Sequence, residues 1–420
     1  MIRKSGISIR KIILNLLFLS GVTVSVYSQG TSIGGVINEY MDVVAIGVPD
    51  NVTVSNHDIF HVGDTVLLIQ MKGAIMLGYE ATEYGNYQYR LGNPGAYEFL
   101  IIQAINDLTG NIIFTRNILN TYDVAGLVQL IKVHSYNSAR VTSELTCLPW
   151  DSVTTKTGGV LALIVGGTLT LDANINVNGK GLIGGIPFTG NGLCLNTNLP
   201  LYDKYAYPDT YSNSGYKGES LVSRSWLSAI NIPSVYPDFA KGKGANFTGG
   251  GGGNGRYSGG GGGSGSGSGG KGGRENSSCG PPGDGGLGGK QVINTILDGN
   301  ILLGGGGGSS TSESGSSASS GGKGGGIIII ISDTLKSIGI HTIMANGEPA
   351  ALSIGNAGAG GGGGGGSLAL YQQSFSLQNS SSELKIFANG GNGGNTGTNN
   401  GEGGGGGGGL IFTNALTFPS

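Results

Sequence analysis

Charge is scarce in this chain. Lys, Arg, Asp and Glu make up 11% of 420 residues with a formal net charge of −2, where about a quarter is usual for soluble domains. That leaves neither a basic stripe for nucleic acid nor an acidic tail. Histidine is also rare: of His57, His61, His134 and His341, the pair His57 and His61 lies in a loop-like segment without a His-Glu-x-x-His pattern, so no metal site is expected. The three cysteines, Cys147, Cys194 and Cys279, have no zinc-site spacing. Their odd number leaves the pairing open, with Cys147–Cys194 as the candidate disulfide beside one free thiol. Long apolar runs are missing after Ile12 to Val26, itself about 15 residues and short of the ~20 that span a bilayer. From Ile33 to about Trp150 no long stretch carries a helical period.

What is present begins with that run. It follows Arg3, Lys4, Arg10 and Lys11, the layout of a secretory signal peptide over residues 1–28, cleaved after Ser28. Glycine dominates the rest: 87 residues, about three times the usual share. Only 28 precede Gly249, and 59 lie from there onward, so the chain has two compositional halves.

Residues 29–152 read as an N-terminal β domain, a small barrel or sandwich. Short Val-, Ile- and Phe-rich segments such as Thr65 to Gln70, Glu98 to Ala104 and Leu127 to Val133 are separated by turns such as Asn93-Pro94-Gly95. Residues 153–420 read as a glycine-rich repetitive β domain, a β-solenoid or a sandwich with packed polyglycine-II helices. In its first unit Gly158-Gly159 leads into an apolar strand, then Leu169, Leu171, Ala173, Ile175 and Val177 alternate with polar residues and share one strand face. The unit ends at Asn178-Gly179. It returns from Gly324 to Asn346-Gly347 and from Gly360 to Asn389-Gly390, and starts again at Gly403. A period of this size marks a stacked architecture. Two insertions interrupt it, a Tyr-rich one at 187–245 and a Gly/Ser-rich one at 249–322.

Gly/Ser runs normally behave as flexible linkers, and Gly259 to Gly273 and Ser309 to Gly322 admit that reading. The runs Gly360 to Gly366 and Gly403 to Gly409 suit it poorly, because each leads directly into an apolar strand at the same place in the repeat. The alternative is a packed layer of extended three-per-turn helices, bonded only to neighbouring chains and too tight for a Cβ.

Catalytic signatures are weak. Polyglycine generates dinucleotide-fingerprint matches without the strand–helix context they require, and Lys271 is followed by Gly272 where a phosphate loop needs Ser or Thr. No nucleotide and no cofactor is expected. A polysaccharide-cleaving β-solenoid would need paired carboxylates, and Asp172, Asp298, Asp333 and Glu348 share no common place in the repeat. Tyrosine supplies large, rigid, amphipathic contact area, which makes Tyr202, Tyr205, Tyr207, Tyr211 and Tyr216, with Tyr79, Tyr84, Tyr87 and Tyr89 nearby, the ligand-binding candidates.

Several phrases carry a resemblance. Val36-Ile-Asn-Glu-Tyr40, Gly63-Asp-Thr-Val-Leu-Leu-Ile-Gln-Met-Lys-Gly73, Gly95-Ala-Tyr-Glu-Phe99, Leu145-Thr-Cys-Leu-Pro-Trp-Asp151 and Lys217-Gly-Glu-Ser220 resemble the N-terminal region of large adhesin-like surface proteins exported by the type IX secretion system of gliding and related Gram-negative bacteria. The glycine-rich half is similar in style to the glycine-rich domains of the anaplastic lymphoma kinase ectodomain and of phage tail-tip adhesins. The resemblance implies an extracellular or outer-surface location and a structural or adhesive role toward glycan or protein surfaces, with an export or anchoring machinery as a further partner. Such proteins usually end in a β-sandwich sorting domain, whereas this sequence stops at Ser420, so a piece of a longer adhesin is one reading. The expectation is a non-enzymatic, exported, all-β protein.

Overall fold

The computed structural model describes residues 30–74, 76–77, 84–87, 92–195, 205–222, 240–280, 283–292, 299–313, 316–353, 355–397 and 399–414. The signal segment and Tyr202, Tyr79, Tyr89 and Asp298 lie outside them. The fold is all-β. Helix among the described residues is confined to single 3₁₀ turns at Val124–Gly126 and Ser277–Cys279 and to Leu195, and none is long and apolar enough to cross a membrane.

Six antiparallel strands close a barrel in the order β2 (Glu39–Gly47), β3 (Asn51–Val54), β8 (Asn111–Phe114), β7 (Tyr97–Asn106), β4 (Thr65–Gln70) and β9 (Val128–Lys132). A two-stranded ribbon, β5 (Met76–Leu77) and β6 (Asn86–Tyr87), extends from it. The barrel is filled by Val52, Val66, Leu68, Leu100, Ile102, Ile112, Phe114 and Leu130. Alternation along β4 sends Leu67 and Ile69 the other way, into a second core. That is why Thr65–Gln70 is apolar throughout rather than alternating: both of its faces are covered.

The second sheet is mainly parallel, in the order β19 (Glu383–Phe387), β17 (Ile340–Met344), β13 (Ile175–Asn176), β11 (Ala139–Thr146), β12 (Val160–Leu171), β16 (Ile327–Ser337), β18 (Ser367–Leu377) and β20 (Leu410–Thr413). Strands β1 (Thr31–Val36) and β10 (Ser135–Tyr136) join it at β11 and β12, and a separate pair, β14 (Phe188–Thr189) and β15 (Thr311–Ser312), lies apart. The segment read as one N-terminal domain is therefore divided, because β1 and β11 flank the barrel in sequence yet pair in the parallel sheet. The repeat units stack strand on strand, with Val160 opposite Ile327, Ile327 opposite Ser367 and Ser367 opposite Leu410. Gly166-Gly167 forms a bulge in β12 where its register against β16 shifts.

The run Ile327–Ile330 is wholly buried because the sheet has a core on each side. Ile328 and Ile330 join Leu161, Leu163, Leu169, Leu171, Ile175, Val177 and Ile343 inside the folded-over sheet. Ile327 and Ile329 face Leu67, Ile69 and Ile131 of the barrel wall. Polar pins cross that second interface: Asn38 Nδ2 donates to the Ala162 carbonyl at 2.9 Å, and Ala162 N donates to Asn38 Oδ1 at 2.9 Å. Tyr97 and Tyr371 join hydroxyls at 2.7 Å. Lys72 Nζ bonds Glu219 Oε1 at 2.8 Å. Burial of Glu219 works against its charge, but Lys72 and the Ile183 N–H outweigh it and hold the carboxyl below its usual range.

Between these strands the glycine segments form a lattice with a repeat of three. Along Gly259–Ser264 the successive N–H groups bond the carbonyls of Gly273, Ala359, Gly251, Gly270, Gly362 and Thr248. Donors three apart thus reach the same neighbouring segment. The carbonyls accept in the same rotation, from Gly286, Gly404, Gly308, Gly289, Gly407 and Gly305. One segment therefore has six neighbours and no unpaired backbone group. Gly304–Ser309 repeats the pattern, donating to Gly325, Ser264, Glu219, Gly322, Gly261 and Tyr216. The segment that admitted a linker reading is the middle of this lattice.

The asparagines that close each repeat form a ladder. Asn346 N donates to Asn178 Oδ1 at 2.7 Å, and Asn389 N donates to Asn346 Oδ1 at 2.7 Å. Each side chain caps the next coil where the strand gives way to glycine.

Candidate binding surface

The described parts of the Tyr-rich insertion pack along the flank of the glycine lattice. Lys241 is threaded between two of its segments, bridging backbone to backbone with Tyr207 and with Tyr216. Its ammonium lies 3.5 Å from the centre of the Phe188 ring and 4.5 Å from that of Tyr216, and donates to the Tyr211 carbonyl at 3.0 Å. Phe188 and Tyr216 meet edge to face at 5.8 Å, while Tyr207 and Tyr211 stack at 4.0 Å. A cation held over ring faces in this way stabilises the loop through the ring quadrupole. Burial lowers the Lys241 pKa, and the nearby Asp209 partly restores it. Tyr216 donates its hydroxyl to Asp209. Burial and that carboxylate push the phenol up to about 12.

The candidate tyrosines therefore divide. Tyr207 is buried and Tyr205 packs into the core between barrel and sheet, its ring stacked on Tyr84 at 5.9 Å. Both are structural. Tyr211 and Tyr216 are half-buried beside the exposed Pro208, Asp209 and Thr210, and these two, with the half-buried Phe188, keep ring surface open to solvent. Phe188 and Lys241 escaped the sequence reading. A usable signal was there: Lys241-Gly-Lys243 places two cations beside an aromatic insertion in a chain poor in charge, and Lys243 lies 5.1 Å from the Tyr205 ring.

No protein-family model, curated protein or solved structure matches this chain.

Among the described residues, the candidate carboxylates Asp172, Asp333 and Glu348 are not assembled into a pair. Asp172 is committed to an ion pair with Arg140 at the β12–β13 turn, Asp333 is exposed on β16 and accepts from Gln373 Nε2 at 3.3 Å, and Glu348 lies past β17 against Gly179. The cysteine expectation is corrected: the disulfide joins Cys194 to Cys279, and Cys147 is buried and free. Cys147 belongs to the apolar core inside the parallel sheet, where burial raises its thiol pKa to about 12 and keeps it unreactive.

Beneath the surface lies Lys217, fully buried, donating to Tyr84 Oη at 2.7 Å and to Asn246 Oδ1 at 3.2 Å. Desolvation depresses its pKa well below the usual lysine value. A base depressed in the folded state binds fewer protons there than in the unfolded chain. Stability is therefore lost as pH falls from the unfolded value, near 10.4, toward the folded one. Lys217→Met should raise stability at neutral pH by about 1 kcal/mol or more, since Tyr84 and Asn246 still bond each other. Thermal melts across pH check this. The variant's advantage should shrink as pH approaches 10, and a variant less stable than the parent at pH 7 would show the amine to be needed.

Proposed function

We propose that this chain is an exported cell-surface or secreted structural and adhesive protein that binds glycan or protein surfaces without catalysis. The observation that carries the reading is the three-residue rotation of hydrogen bonds along Gly259–Ser264 and Gly304–Ser309, the bonding that packed polyglycine-II helices require. A lattice bonded in every direction is a stiff support with almost no side chains of its own. Recognition then falls to the loops on its flank, where Phe188, Tyr211 and Tyr216 offer aromatic faces of the kind that stack on sugars and on protein side chains. The likeness of residues 35 to 250 to type IX adhesins supports an extracellular setting and an export or anchoring partner.

A glycan array read together with a reducing-sugar assay tests the reading. Binding without released reducing ends is expected, and Tyr211→Ala combined with Tyr216→Ala should weaken it about tenfold or more while leaving the melting temperature within a few degrees. Release of reducing ends would replace adhesion with polysaccharide cleavage.

A further inference from the structure

Four lysines are buried among the described residues, Lys72, Lys217, Lys241 and Lys243, and three of them face an anion. Lys72 pairs with Glu219, Lys243 lies beside Asp284, and Lys241, between its rings, has Asp209 close enough to raise its pKa. Lys217 has no carboxylate partner among the described residues. Its amine meets a phenol and a carboxamide instead, and the three groups close a triangle. Lys217 Nζ donates to Tyr84 Oη at 2.7 Å and to Asn246 Oδ1 at 3.2 Å, while Tyr84 Oη donates to the same Oδ1 at 2.7 Å. In a chain so poor in charge, a buried lysine without a counter-ion is a standing cost.

The triangle holds the parts of an amide-forming reaction. With Nζ in hydrogen-bond contact with Oδ1, a turn about the last side-chain bonds of Lys217 brings it against the carbon that carries that oxygen, the geometry from which attack proceeds. Desolvation depresses the amine well below the usual lysine value, which leaves on Nζ the lone pair that a nucleophile needs. Tyr84 donates to the oxygen on which negative charge develops as the carbon becomes tetrahedral. It also accepts from the amine, which has a proton to shed. All three residues are buried, with Tyr84 in the core between barrel and sheet, so bulk water does not compete with the amine.

We propose that Lys217 and Asn246 become joined by an isopeptide bond, made once by the chain on itself with Tyr84 as the proton relay. The Nζ–Cγ bond forms while one Nζ hydrogen moves to Tyr84 Oη and the phenol's own hydrogen moves to Oδ1. The tetrahedral carbon then collapses. The Oδ1 hydrogen returns through Tyr84 to Nδ2, the Cγ–Nδ2 bond breaks, and ammonia leaves. Nothing is oxidised or reduced, and Tyr84 ends as it began. A neutral amide replaces the buried amine, so the cost of the missing counter-ion disappears. The link spans 29 residues and ties the Tyr-rich insertion to the start of the glycine lattice by a bond that reductant does not cut. The stability expected above for Lys217→Met is relative to the unlinked chain; once linked, the parent is the more stable of the two.

Mass spectrometry of the full folded chain tests the proposal. The intact mass should fall short of the mass its sequence gives by one ammonia, and digestion should release a branched peptide in which Lys217 is joined to Asn246. Lys217→Arg and Asn246→Ala should each restore the full mass. Tyr84→Phe keeps the ring and removes the relay, and should slow the appearance of the linked form after synthesis about a hundredfold or more. A folded parent with its full sequence mass, or an ammonia loss without the branched peptide, overturns the proposal. Linkage in Tyr84→Phe as fast as in the parent overturns the relay. The digest of the unmodified chain decides by itself should any variant fail to fold.

Discussion

Gly261→Ala is expected to destroy the glycine lattice. At most exposed sites exchanging glycine for alanine stabilises a protein by restricting the unfolded chain. At Gly261 the added Cβ would lie 2.1 Å from the Leu287 carbonyl oxygen and 2.5 Å from its carbon. Neither can retreat, since the Leu287 carbonyl holds the Gly251 N–H, and Gly261 itself is bonded to Gly251 and Gly308. The loss should reach or exceed the ~3 kcal/mol at the upper end of ordinary overpacking, because backbone rather than a side chain must move. Chemical denaturation of Gly261→Ala against Gly405→Ala, where the nearest atom to an added Cβ lies at 4.0 Å, makes the comparison. A parent-like midpoint for Gly261→Ala would mean that the packing is looser than described.

Reduction of Cys194–Cys279 should have the next largest effect. The bridge spans 85 residues, and loop-closure entropy for that length corresponds to about 4–5 kcal/mol. Its surroundings concentrate the loss. Beside it the buried Glu275 accepts from the N–H groups of Leu195, Arg256 and Gly283 at 3.1, 3.1 and 2.8 Å, so both ends of the loop are held on one carboxylate. The loop contains Gly259–Ser264, the segment with six neighbours. Melting with and without reductant, repeated on Cys279→Ala, measures the effect. Mass spectrometry after thiol labelling should find a single reactive cysteine, Cys147, only once the protein is unfolded.

Much of the fold could be read from residue order. The alternation of Leu169, Leu171, Ile175 and Val177 and the returning Gly–strand–Asn-Gly unit place the strands that stack as β12, β16, β18 and β20, because a period of two is a direct consequence of strand geometry. The alternation survives even where the chain bends at Asp172–Ala173 between β12 and β13. Other features rest on distant contacts that carry no local pattern. Strand β1 leaves the barrel sequence to pair with β11, more than a hundred residues on, and Cys194 passes over Cys147 for Cys279. The candidate surface was half legible. Tyrosine content marked the insertion, but only packing separates the buried Tyr207 from the half-buried Tyr211 and Tyr216, and only threading brings Lys241 between Phe188 and Tyr216.

The six-neighbour segment also sets the order of folding. Gly259–Ser264 needs partners from Thr248 through Gly407, so its bonds cannot all close until nearly the whole chain is in place. Contacts so remote in sequence make folding slow. A glycine-rich chain whose central segment closes last stays an extended, hydrated thread until segments on both sides of it, from Thr248 to Gly407, have arrived.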